Sequence, residues 1–230
     1  MSFTDWEALA TQYSRINDAR RDTVFVEIAR WLGERKPGAL LDYGGGDGSF
    51  VCGLTQVPIP EIVVFDPTPT MVALAQEKCA HLAHVSVVGS VELIAPRHFD
   101  VATFNAVWMS LRSDTECVET LSLIHGFLRP GGTVVASVTH PCFRAQRFST
   151  YRTDFDNARY FEDGSQFLVE MSDGLESVVL IDTHWSLGAM VRQLRKSGFQ
   201  IEELREIRDR VIDGWVAPAS PWLVLYARAQ

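Results

Sequence analysis

Apolar residues recur along this chain with two periods, and the order in which the periods alternate predicts its architecture. The first 33 residues carry a helical repeat, with Val24, Ile28 and Leu32 on one face and Asn17 or Asp18 placed to cap the second helix. The stretch GERKPG ends that region, so residues 1–36 read as N-terminal helices. Short apolar runs and helices then alternate. ALLDY is a buried strand, SFVCGL opens a helix and EIVVFD is a second strand. TPTMVALAQEKCAHL is a helix with Thr68 at the N-cap and Pro69 at the first helical position. VSVV and FDVATFN are strand-like, SDTECVETLSLIHGFL opens on a capping box of Ser113 and Glu116, and the turn RPGG leads into the strand TVVASVTH. Five strands separated by helices predict a parallel sheet covered on both faces.

The pattern changes after His140. Residues 141–185 are rich in aromatics, and QFLVEMSDGLESVVLIDTHW reads as a hairpin turning at SDG. An insertion at the carboxyl end of a strand lies where an open sheet binds its ligand, so 141–185 is expected to cap the site. A helix, SLGAMVRQLRKSG, and the strands FQIEELREI and PWLVLYARA complete the chain, the last two as antiparallel neighbours. The whole of 1–230 reads as one domain, an α/β doubly wound fold with a seven-stranded, mostly parallel sheet and an antiparallel last strand.

Composition narrows the partners. A formal charge of -8 over 230 residues, with no run of Lys or Arg, argues against nucleic acid as the main partner. Arg15, Arg20, Arg21 and Arg30 read as a solvated face of the N-terminal helices. No basic region followed by an apolar run opens the chain, and no stretch of about 18 apolar residues occurs, so neither a signal peptide nor a membrane span is expected. Cys52, Cys79, Cys117 and Cys142 show neither paired nor metal-like spacing and read as reduced thiols of a cytoplasmic protein.

The candidate chemistry sits in LLDYGGGDGSF. Asp42, Gly44, Gly46 and Gly48 give D-x-G-x-G-x-G, a strand-to-helix turn in which glycine lets backbone approach a ligand. Gly44 and Gly46 also start a dinucleotide fingerprint with Ser49 in the third glycine's place, and Asp66 stands where either kind of ligand needs a ribose acid. Read alone, the loop leaves both open. Asp42 lies two residues before the glycines, FDPTPTMVALAQ follows the ribose acid with a Pro-Thr turn, and FLRPGGTVVAS precedes the fifth strand. With these segments in this order, the chain resembles the class I, Rossmann-like, S-adenosylmethionine-dependent methyltransferases of the small-molecule type.

The resemblance implies S-adenosylmethionine as cofactor, S-adenosylhomocysteine as its product, and no metal. It places Asp42, Gly44 and Gly46 at the amino-acid tail and sugar, Asp66 at the ribose hydroxyls, and Pro67 and Met71 beside adenine. Gly89, Ser90 and Val91 fall in the segment that reaches the adenine edge. Ser90 stands where the family often has an acid, which leaves the Val91 N–H for that bond. Asn105, Ala106 and Val107 border the methionine moiety, and Tyr13 matches a tyrosine that lies over its carboxylate. The acceptor implied is a small molecule, held by a monomer or homodimer.

Methyl transfer from a sulfonium chiefly needs alignment and exclusion of water, with a base only where the acceptor must lose a proton. His140 and His184 bracket the cap and are the candidate bases, because histidine titrates near neutrality. Trp108 and Met109 are expected to line the transfer pocket, with Phe143 and Trp185 as further walls and Arg144 as a partner for a carboxylate. His81, His84, His98 and His125 read as surface residues. A SAM-binding protein without turnover, an enzyme acting on RNA or protein, and an NAD(P)-dependent oxidoreductase are the alternatives.

Overall fold

The computed structural model describes residues 3–16 and 18–230. Asn17, one of the two expected caps, lies outside the described residues. The helical N-terminus is two helices, α1 (Trp6–Arg15) and α2 (Val24–Arg35), separated by a 3-10 turn at Ala19–Arg21. Asp18 caps that turn, accepting from Arg20 N at 2.9 Å, and not α2. At the N-cap of α2 stands Thr23, whose hydroxyl donates instead to Ala19 O.

The main sheet contains β1 (Ala39–Tyr43), β2 (Glu61–Phe65), β3 (Val85–Val88), β4 (Phe99–Asn105), β5 (Leu128–Thr139), β9 (Phe199–Ile207) and β10 (Trp222–Ala229). Their spatial order is β3-β2-β1-β4-β5-β10-β9, and β10 runs antiparallel to both of its neighbours. Strands β1 to β5 pair in parallel. The stretch RPGG lies inside β5, absorbed as a break in register between the pairs Phe99–Leu128 and Val101–Thr133. The chain winds outward from β1 in both directions, so the switch in strand order falls between β1 and β4, where the carboxyl ends open a crevice.

Side chains alternate across the sheet. Leu40 packs into a core with Val24, Ile28 and Leu32 of α2, while Leu41 joins the opposite core. That second core holds α5 (Asp114–Phe127) and α6 (Leu187–Lys196). The glycine loop leads into α3 (Ser49–Cys52), a single turn, and β2 leads into α4 (Pro69–Cys79). Thr68 occupies the N-cap of α4 without a side-chain bond. Glu7 of α1 supplies one instead, accepting from Thr70 N at 3.1 Å and from Thr70 Oγ1 at 2.5 Å.

The 141–185 insertion folds as a separate three-stranded antiparallel sheet, β6 (Tyr151–Thr153), β7 (Gln166–Ser172) and β8 (Ser177–Thr183). Phe167, Val169 and Met171 of β7 and Val178 and Leu180 of β8 belong to the α2-side core together with Tyr151 and Trp222. The cap is therefore continuous with the interior.

Candidate active site

Two cavities meet at the carboxyl ends of β1, β4 and β5. Tyr13, Arg20 and Met171 line both. The first lies over the glycine loop. Gly44, Gly46 and Gly48 have φ of 71°, 56° and 74°, the left-handed region that side chains disfavour. At Gly44 a Cβ would also fall 2.4 Å from Val107 Cγ2. The Gly44 and Gly45 N–H groups donate to Phe65 O at 2.8 and 2.9 Å, and Gly46 N donates to Asp66 Oδ2 at 3.0 Å, which fastens the loop to the end of β2.

Asp42 and Asn105 face this cavity with unfinished hydrogen bonding. Asp42 Oδ1 accepts from Thr103 Oγ1 at 2.6 Å, while Oδ2 is buried without a partner. Burial pushes this carboxyl up to about 7, with Asp66 and Asp47 adding to the rise and the Thr103 bond opposing it. Asn105 Oδ1 accepts from Ser137 Oγ at 2.9 Å, and its Nδ2 is a buried donor with no acceptor. Buried polar atoms are rarely left unsatisfied, so one acceptor and one donor in the same cavity mark what a ligand must supply.

Asp47 guards the start of α3. Its Oδ1 accepts from Ser49 N at 3.1 Å, and its Oδ2 accepts from Ser49 Oγ at 2.9 Å, from Ser14 Oγ at 2.5 Å and from Lys78 Nζ. Hydrogen bonds from Lys78, Ser14 and Ser49 hold it ionised against its burial, so its pKa is lowered. A dinucleotide pyrophosphate needs free N–H groups at the start of a helix. Here the helix is one turn long and a carboxylate already holds its Ser49 N–H.

The N-terminal segment closes the crevice. Arg20, expected on a solvated face, is instead 8% exposed. The 3-10 turn breaks the helical periodicity and swings its guanidinium inward, where it pairs with Asp18 and donates to Tyr13 Oη. Burial opposes the Arg20 charge, but Asp18 and Tyr13 outweigh it and its pKa is raised. Helix α1 bridges the two halves of the site. Glu7 and Ser14 reach Thr70 and Asp47 on one side. On the other, Gln12 Nε2 donates to Ser177 O at 2.7 Å, and Thr4, just before the helix, bonds Ile181 through both its O and its N–H.

The second cavity lies beneath the cap, walled by Trp6, Met109, Tyr151, Val169, Leu180 and Trp222, with Ala106 and Thr139 at the sheet. Asp182 of β8 also lines it. This carboxylate is 4% exposed and has no hydrogen-bond donor among the described residues. Burial pushes it up to about 7 against the pull of Arg144 and Arg20. Asp182 is not among the site residues expected from the sequence. The signal lay in the alternation of SVVLIDT, where Val178, Leu180 and Asp182 share the buried face. A charge on the apolar face of a strand needs a reason.

Several expected residues fall elsewhere. Trp108 is wholly buried in the α5–α6 core and donates to Gln193 Oε1 at 2.8 Å, because Ala106 adopts φ 56° and turns the chain under the sheet. Trp185 lies in the same core. Phe143 packs on His140, with ring centroids 4.5 Å apart. Arg144 is fully buried over the Phe167 ring, and none of its guanidinium nitrogens has a hydrogen-bond partner, so it is no surface partner for a carboxylate. Of the expected acceptor residues, only Met109 lines a cavity.

Neither candidate base lines either of these two cavities. His140 Nδ1 accepts from Cys142 N at 3.2 Å and Nε2 bonds Glu206 Oε1 at 3.0 Å, so both ring nitrogens are engaged. His184 Nε2 donates to Tyr160 O at 2.8 Å while its ring stacks on Phe155, and burial pushes its pKa down to about 4. His125, expected at the surface, packs on Phe199 with Nε2 buried. Cys52 and Cys79, distant in sequence, bring their sulfurs to 3.3 Å beneath the loop.

The residues expected at the adenosine half form a rim outside both cavities. Asp66 is buried, accepting from Gly46 N and from Thr68 N at 2.9 Å. Pro67 and Gly89 are exposed, Ser90 and Val91 half-buried, and Met71 lies buried under Gly46. Among the described residues, no group of three or more His, Cys, Asp or Glu is placed to hold a metal ion, and no helix is long and apolar enough to cross a membrane.

Residues 16–204 match the methyltransferase domain family. No curated protein matches the chain by sequence. Among solved structures, the CcbJ methyltransferase from Streptomyces caelestis superposes with a TM-score of 0.67 at 16% identity, covering 96% of each chain. A S-adenosylmethionine-dependent methyltransferase from Mesorhizobium loti gives 0.63 at 18% identity, covering 92% of this chain and 98% of its own. One from Clostridium acetobutylicum gives 0.64 at 11% identity, covering 96% of each. The family match takes in β1, the glycine loop, β4, β5 and the cap, and the chain therefore belongs to the methyltransferase domain family, with the Rossmann-like fold of S-adenosylmethionine-dependent methyltransferases.

Proposed function

We propose that the chain transfers a methyl group from S-adenosylmethionine to a nucleophilic O, N, C or S atom of a small-molecule acceptor. The observation that carries this reading is the pair of orphaned atoms in the first cavity. Asp42 Oδ2 suits an ammonium and Asn105 Nδ2 suits a carboxylate, so together they fit the zwitterionic end of an amino acid. A nicotinamide dinucleotide has no such end, and the Asp47 carboxylate opposes its pyrophosphate. Tyr13 and Arg20 add donors beside the same cavity, while Asp66, Pro67, Met71 and Gly89 to Val91 are the residues to receive ribose and adenine.

The cofactor supplies an electrophilic methyl on a sulfonium. The protein supplies alignment and a dry crevice. The cap and α1 enclose the second cavity, which favours a small acceptor over RNA or a folded protein. The proton-transfer role expected of His140 and His184 is not carried forward, since their ring nitrogens point to protein partners or into the packed cap.

A thermal-shift titration with S-adenosylmethionine, S-adenosylhomocysteine, NAD and NADP in parallel tests the reading. Ligand at about a hundred times its dissociation constant stabilises by about 2.7 kcal/mol, which for a chain of this size is about 5–10 °C. The expected result is a shift with the two adenosyl ligands alone, lost in Asp66→Ala. A shift with NAD or NADP alone overturns it.

A further inference from the structure

The second cavity holds one feature that alignment of a methyl donor does not require. Asp182 sits on the inward face of the cap sheet among Val169, Leu180, Tyr151 and Trp222, and it accepts no hydrogen bond from the described residues. A carboxylate buried among apolar side chains without a donor is costly, and a strand of this pattern would be more stable with leucine or valine there. Its charged neighbours stand back from it. Arg144, over the ring of Phe167, which pairs in register with Asp182, and Arg20, in the lining of the same cavity, both act on it through space, and neither forms an ion pair with it. Tyr151, on β6 at the far side of β7 in the same sheet, is the third group acting on it, and burial keeps that phenol protonated while its hydroxyl donates to Pro221 O at 2.8 Å. Tyr13 also lines the cavity, with its hydroxyl engaged by Arg20, and none of these four groups supplies the missing hydrogen bond.

We propose that Asp182 is the recognition residue for the methyl acceptor, receiving a hydrogen bond from an amine or hydroxyl on a small apolar or aromatic frame. This inference rests on the methyltransferase reading of the adjoining cavity. The walls set the frame: Trp6, Tyr151 and Trp222 present aromatic surface, and Met109, Val169 and Leu180 complete an apolar box. The polar end is set by Asp182, which accepts and does not donate when ionised. An anionic acceptor is disfavoured twice, by repulsion from this carboxylate and by loss of hydration in the box. Arg144 acts as a positioning residue. Its guanidinium lies 4.5 Å over the Phe167 ring, contributes no lining to the cavity, and offers Asp182 a fixed positive charge that favours its ionised form.

The test uses the full chain saturated with S-adenosylhomocysteine and a set of matched probes: benzylamine, benzyl alcohol, phenol, toluene and benzoate. Binding is read by ligand-observed NMR from pH 6 to pH 9. Benzylamine, or one of the two hydroxyl probes, is expected to bind wild type at least tenfold more tightly than Asp182→Asn, with benzoate the weakest. The amine and hydroxyl arms separate the two kinds of donor. The affinity of S-adenosylhomocysteine itself is expected to agree within twofold between the two proteins, which shows that the variant is folded. In Arg144→Met the pH of half-maximal probe binding should move upward, and Arg144→Lys should restore it, a response that a packing role would not give. Equal probe binding to wild type and Asp182→Asn overturns the proposal, as do preference for benzoate and failure of every donor probe. Failure of wild type to bind S-adenosylhomocysteine is a different outcome, since it overturns the methyltransferase reading and this inference with it.

Discussion

Each of the two cavities holds one buried carboxylate with a vacancy in its hydrogen bonding, yet the chain builds them by opposite means. Asp42 is the penultimate residue of a central strand, two before the glycines that shape its cavity, so that half of the site is local and made largely of backbone. Asp182 is carried by an inserted sheet, and the walls around it come from α1, the ends of β4 and β5, β6, β7 and the start of β10. The first half is specified by conformation, as the positive φ values at Gly44, Gly46 and Gly48 show. The second is specified by side-chain burial, and its shape depends on how the cap packs. The comparison teaches that a contiguous, conformationally constrained segment can be read from sequence, while a site assembled from scattered walls is visible only once the fold is known.

The sharpest way to break the first half is Gly44→Ala. The new methyl combines a left-handed backbone with a 2.4 Å approach to Val107, which together should cost about 3 kcal/mol. The melting temperature is expected to fall by about 6–12 °C, with loss of S-adenosylhomocysteine binding in calorimetry. Gly33→Ala in α2, where no atom lies within 4 Å of the new Cβ, is the control and should leave stability equal or slightly higher.

A smaller effect of the opposite sign is expected at Asp42. In the unfolded chain its carboxyl titrates near 3.8, and in the fold near 7. Below the lower value both states are protonated and the burial costs nothing. As pH rises toward 7 the unfolded form ionises first, so stability is lost at about 1.4 kcal/mol per pH unit, to a ceiling of about 4 kcal/mol. Asp42→Asn removes that slope but buries a new N–H donor, so a net gain of about 1–2 kcal/mol at pH 8, absent at pH 4, is expected from thermal melts. The same variant should bind S-adenosylhomocysteine at least tenfold more weakly. For wild type, affinity should rise from pH 6 to pH 8 as the carboxylate ionises to meet the ligand's ammonium.

The smallest effect on the ligand should come from the histidines. His140→Ala and His184→Ala remove a ring from the packed cap and should lower the melting temperature by a few degrees, with S-adenosylhomocysteine affinity kept within twofold. A tenfold loss of affinity in either would blur the division between the two halves.

Much of the framework was legible because its determinants are periodic or contiguous. ALLDY, EIVVFD and FDVATFN are apolar runs bounded by turn residues, and all three are strands of the parallel sheet. Legibility failed where one residue changed the chain's direction. Trp108 follows the end of β4 and was expected in the pocket, but the left-handed Ala106 sends it into the core. Arg20 shares a helical face with its neighbours only if the helix continues, and the 3-10 turn at Ala19–Arg21 stops it. Asp182 was in plain view on an alternating strand, but its meaning depended on knowing which face of the cap is buried.

Helix α1 is fastened to both halves at once, through Glu7 and Ser14 on the side of the glycine loop and Gln12, with Thr4 just before it, on the side of the cap. An element shared in this way makes the occupancies of the two cavities a single thermodynamic problem. Whatever factor one ligand imposes on the other through that helix must be returned in equal measure, since coupling between two binding equilibria is reciprocal. The order in which the two molecules arrive then governs only the kinetics, and the affinity of the pair is a property of the strap they share.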